Sequence, residues 1–75
     1  MEEHKRLERK PIATIETENG TATIIYNGAG ETLTAEMTDG TTDTLEYIPA
    51  SLDDAIDAVY MMYSSGPWYL EWIEQ

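Results

Sequence analysis

The sequence contains no cysteine, so neither disulfides nor thiolate metal sites are available to it. That composition fits a reducing compartment. It has a single histidine, His4, and a lone histidine builds neither a zinc site nor a nucleophile–base triad. No apolar run approaches the ~18 residues that a membrane span requires. The first ten residues, MEEHKRLERK, are charged throughout and lack the apolar centre of a secretory signal. The expectation is a soluble, cytoplasmic protein.

The deepest deficit is positive charge. Lys5, Arg6, Arg9 and Lys10 are the only cations, and all of them precede Pro11. From Pro11 to Gln75 nothing offsets Glu16, Glu18, Glu31, Glu36, Asp39, Asp43, Glu46, Asp53, Asp54, Asp57, Glu71 and Glu74. The net charge is −11 on 75 residues. Folded domains normally mix both signs, because like charges repel in the compact state. Naked nucleic acid and anionic membranes are poor partners, since binding either takes Lys and Arg to neutralise phosphate. A basic protein surface is the favourable partner. Solubility, or adaptation to a saline cytoplasm, would also account for the acidity.

What is present is a small core. The apolar share is 41%, too high and too regularly placed for a disordered acidic tail. A chain this short buries only about 60% of its unfolded surface, so it makes one domain with a narrow stability margin. Residues 1–10 read as a charged N-terminal arm that Pro11 ends. Residues 11–75 read as a single α+β domain.

Four strand-like runs follow the arm. Ile12–Thr17 is rich in β-branched residues and leads into Asn19-Gly20, a strong hairpin signal. Thr21–Tyr26 is the second run, and Asn27-Gly28-Ala29-Gly30 is a glycine-rich turn. In Glu31–Thr38, Leu33, Ala35 and Met37 alternate with Thr32, Thr34, Glu36 and Thr38. After Asp39-Gly40, Thr41–Ile48 sets Leu45 and Tyr47 against Thr44 and Glu46. Tight turns between four strands specify an antiparallel meander.

Pro49 stops the sheet. Ser51 is an N-cap, with Asp54 in the capping-box position. Leu52, Ile56, Val59, Tyr60 and Tyr63 form one helical stripe over about 52–64, closed by Gly66-Pro67. The last segment, Trp68–Ile73, reads as a fifth strand or as a short helix; its β-forming residues and the helix stop before it favour the strand. The expected order is therefore β-β-β-β-α-(β), an antiparallel meander of four or five strands with one helix packed on one face.

Such a sheet keeps one wet face, here of Thr32, Thr34, Glu36, Thr44 and Glu46. Residues i and i+2 lie about 6.8 Å apart on a strand, and neighbouring strands about 4.8 Å. Carboxylates on that lattice have spacings like those of a nucleic-acid backbone.

Several spellings fail as sites. Asp53-Asp54-Ala55-Ile56-Asp57 matches the DDxxD of prenyl synthases, but it opens a helix with no cation nearby. Asp39-Gly40-Thr41-Thr42-Asp43 lacks the ligand spacing of a calcium loop and reads as a turn. Gly28-Ala29-Gly30 opens no helix that could cradle a phosphate. Asn19-Gly20-Thr21 spells a glycosylation sequon and reads as a turn. The carboxylate pairs lack the desolvated cleft that acid–base catalysis requires. No enzyme, cofactor or metal is expected.

The residues expected to bind a partner are Glu36, Glu46, Asp39, Asp43, Asp53, Asp54 and Asp57, with Met61, Trp68 and Tyr69 as apolar support. Met61 is singled out because it falls on the Asp57 side of the helix. Tyr26 would join them if exposed. In size, single-domain build and acidity the chain resembles the small inhibitors that phages encode against host nucleases and CRISPR effectors. That resemblance carries over no residue positions. It implies a non-enzymatic inhibitor, a nucleic-acid mimic, that blocks a basic nucleic-acid channel of a larger protein. The alternative is a structural module, a homodimer among its options, that associates through a sheet edge or through Trp68–Ile73.

Overall fold

The computed structural model describes residues 9–18, 20–64, 66 and 68–73. Strands β1 (Lys10–Thr17), β2 (Gly20–Tyr26), β3 (Leu33–Met37) and β4 (Thr42–Leu45) precede helix α1 (Leu52–Tyr63), and β5 (Tyr69–Trp72) follows it. The sheet is antiparallel throughout, in the order β4-β3-β2-β1-β5. The meander and the final strand are thus as expected from sequence. Most of the arm lies outside the described residues, but Lys10 already belongs to β1, opposite Tyr26.

The turns follow from local chemistry. Thr17 pairs with Gly20, so the first hairpin closes one residue earlier than the Asn19-Gly20 spelling suggests. Gly20 has φ +125°, a conformation that side-chain-bearing residues rarely adopt. At the β3–β4 turn, Gly40 N–H donates to Met37 O and Met37 N–H to Thr41 O, which makes a three-residue loop. Asp39 Oδ1 accepts from both the backbone N–H and the hydroxyl of Thr41. Between β2 and β3, Asn27 is buried and its Nδ2 donates to Thr32 O and Thr34 Oγ1, each at 2.8 Å. A buried amide satisfied twice fixes the course of that glycine-rich loop.

The register places Ala13, Ile15, Ala22, Ile24, Tyr26, Leu33, Ala35, Met37, Leu45 and Leu70 on the face that Ala55 and Val59 of α1 cover. A bulge between Pro11 and Ala13 adds Ile12 to that core. Tyr26 is buried here and is unavailable to a partner. The other face carries Thr14, Glu16, Thr21, Thr23, Thr34, Glu36, Thr42, Thr44, Tyr69 and Glu71. Ile25 is on this face too, yet only 3% exposed.

Two features of the helical region differ from the sequence reading. Leu45 ends β4, because Tyr47 N–H folds back onto Leu45 O at 2.8 Å. Glu46 and Tyr47 therefore leave the sheet, and Tyr47 does not face the core. In α1 the buried residues are Ala55, Ala58 and Val59, with Leu52, Ile56 and Tyr63 partly covered. The small alanines let the helix approach closest along their side, which turns Tyr60 outward to 54% exposure. No described helix is long and apolar enough to cross a membrane.

Candidate interaction surfaces

Every described carboxylate is exposed or half-exposed, and only Arg9 and Lys10 oppose them among the described residues. Arg9 reaches Glu36 at 3.9 Å, with both side chains about half exposed. An ion pair in that setting contributes about 0–1 kcal/mol, so the acidity is little compensated among the described residues.

The residues singled out from sequence fall into separate groups. On the open sheet face, Glu36 shares a cross-strand row with Thr23, Thr14 and Glu71. Glu16 pairs with Tyr69 beside that row, which places Glu16 and Glu71 diagonally, about 7–8 Å apart. Glu16 and Glu71 had no prior assignment to a site. Their meeting depends on β5 joining β1, a fact of topology that alternation within one strand does not encode. Glu46 was expected on this face and is absent from it, because β4 ends first.

Asp39 and Asp43 separate likewise. Asp39 spends its carboxylate on the turn, and the hydrogen bonds from Thr41 hold it below the usual carboxylate range. Asp43 was expected in the turn but sits within β4 opposite Ala35, on the helix side. Its charge adds to burial in pushing the Tyr63 phenol upward. Trp68 packs edge-on against Tyr63, ring centroids 6.0 Å apart at 83°. Tyr69 is on the opposite sheet face and is 63% exposed.

The third group gathers on α1. Ser51 caps the helix, its Oγ accepting from Asp54 N–H at 3.1 Å. The Asp54 carboxylate reaches back to accept from Ala50 N–H at 2.8 Å and from the Tyr47 hydroxyl at 2.9 Å. A capping box would have the Ser51 N–H as donor; here Ala50 supplies it. These bonds lower the Asp54 pKa. The same bond, with desolvation and the charges of Asp54 and Asp57, raises that of Tyr47 above its ordinary 10. Tyr47 is thereby held over the first turns of α1.

The result is a groove of about 300 Å³ lined by Tyr47, Asp54, Asp57, Ala58, Met61 and Met62. Asp54, Asp57 and Met61 were singled out from sequence; Asp53 is exposed on the first turn but does not line the groove. Tyr47 was missed because alternation assigned it to the core, and a backbone turn at Leu45 breaks that alternation. Met62 was not among the residues singled out from sequence. Among the described residues, no three of His, Cys, Asp and Glu converge as metal ligands would. No protein-family model, curated protein or solved structure matches the chain.

Proposed function

We propose that this protein is a non-enzymatic acidic binding protein that docks onto a basic surface of a larger nucleic-acid-binding protein and blocks it by competition. It would act in the cytoplasm, in the manner of the small phage inhibitors of nucleases and CRISPR effectors. The observation that carries this reading is the exposed charge of the sheet and the helix, which the described cations offset only at Glu36. Glu16, Glu36 and Glu71 stand on the open sheet face, and Asp53 and Asp57 on the helix. Packing uses none of these five, and a stable domain would gain from a few lysines among them. A basic groove would neutralise them and would be steered toward them during encounter.

The test is capture of a partner at ~0.1 M salt, where charges act over about 10 Å, followed by reversal of Glu36, Glu46, Asp53 and Asp57 to lysine. The expected outcome is a nucleic-acid-binding protein whose affinity falls at least ~100-fold in the reversed variant, or roughly 3 kcal/mol. Binding that survives the reversal overturns the proposal.

One observation favours a second reading. Strand β5 is an edge of the sheet, and Tyr69 and Trp72 on it are exposed. An edge strand carrying aromatic residues can extend the sheet into another chain. Association by that route would resist salt and be lost in Trp72→Ala.

A further inference from the structure

Most of the acidic surface offers charge alone. The groove on α1 adds shape and apolar walls. Met61 is 75% exposed, and Met62 and the Tyr47 ring also stand open to solvent beside it. Thioethers adapt to the outline of whatever covers them. Asp57, at the rim, has no hydrogen-bond or ion-pair partner among the described residues. It lies beyond the first turn of α1, where the helix dipole gives little, and four residues after Asp53, a like charge on the same face. No described hydrogen bond or ion pair of the fold uses the Asp57 carboxylate. Asp54, which also lines the groove, supports the tyrosine and keeps further acceptor capacity on both oxygens.

We infer that this groove is the receptor for one arginine side chain of the basic partner, its guanidinium on Asp57 and its aliphatic stem along Met61 and Met62. The inference rests on the reading of the protein as a ligand of a basic surface. About 300 Å³ is at the bottom of the range for small-molecule sites and suits a single long side chain. A guanidinium pairs with a carboxylate through two parallel bonds and stacks on an aromatic face such as that of Tyr47, which an ammonium does less well. Its stem covers apolar atoms while its head stays on the charge. Other occupants fit poorly. An apolar side chain would desolvate Asp57 without pairing it. A second copy of this chain would bring another net charge of −11 to the same place.

The test is a titration of the methyl- and amide-labelled protein with the capped tripeptide Gly-Arg-Gly and its norleucine counterpart, followed by NMR in the millimolar range. The arginine peptide is expected to give saturable shifts at the Met61 and Met62 methyls and the Asp57 amide, and the norleucine peptide none. Asp57→Asn is expected to weaken binding at least ~5-fold and Met61→Ala about 3-fold, with Glu31→Gln unchanged. All three substitutions are of exposed residues, so the fold is retained. Shifts confined to Glu16, Glu36 and Glu71 would overturn the groove as receptor and leave the basic-partner reading standing. Equal shifts from the norleucine peptide would also overturn it. No saturable shift anywhere would overturn both.

Discussion

Asp54 shows how one residue type serves two ends in this chain. Its carboxylate accepts from Ala50 N–H and the Tyr47 hydroxyl, so it is part of the fold, whereas Asp57, one turn on, has no such role. The role of Asp54 can be read from pH. Asp54 has a folded pKa below its unfolded value, so the stability it gives is present above the ordinary carboxylate pKa of 3.8 and is lost as pH falls through the lower folded value. Tyr47 has the opposite sign. Its raised pKa gives stability that is complete below 10 and lost as pH rises through the folded value. Tyr47→Phe removes the hydroxyl from this pair. The Asp54 carboxyl midpoint, followed by NMR, should then move upward toward 3.8, and the loss of stability at high pH should shrink. An unmoved midpoint would mean that Ala50 alone holds the carboxylate.

At the scale of the element, α1 depends on its start. Ser51 satisfies Asp54 N–H, and its carbonyl takes the first helical bond, from Ala55 N–H at 3.0 Å. Ser51→Ala should lower stability by about 1 kcal/mol, or a Tm shift of about 4–8 °C for a domain of this size, read by thermal unfolding followed by circular dichroism. A negligible shift would show that Asp54 fixes the helix start alone. The same element shows what was legible in the sequence. Its start was readable, because Ser51 and the acidic first turn are local signals; its end was not, because Ser64 in right-handed helical geometry caps it and Gly66, two residues on, lacks the positive φ of a capping glycine. Its inward direction was readable only in part: Tyr60 has the spacing of the stripe, but Ala55 and Ala58 decide which side touches the sheet. The strands behaved alike. Alternation in Leu33–Met37 gave the buried face, while the end of β4 at Leu45 and the pairing of β5 with β1 depend on a backbone turn and on the path of the chain after α1. Hence Asp54, Asp57 and Met61 could be read as neighbours on one helix, and Tyr47, Glu16 and Glu71 could not be read as members of a surface.

For the molecule as a whole, charge and fold divide the work. The apolar residues of five strands and one helix make a core under one side of the sheet, and the acidic residues are left to the remaining surface with two described cations among them. Like charges such as Asp53 and Asp57, four apart on a helix, lower stability by about 0.2–0.5 kcal/mol per pair. In a domain whose entire margin is about 5–15 kcal/mol, that is tolerable but not neutral. Under the proposed function, a basic partner would supply the compensation that the described residues of this surface lack. The most direct measurement is displacement of labelled duplex DNA or RNA from a panel of basic nucleic-acid-binding proteins, at ~0.1 M and ~1 M salt, where the screening length falls from about 10 Å to about 3 Å. Displacement from at least one member at the lower salt, lost at the higher, is the predicted result. A panel in which nothing is displaced at either salt would contradict the account.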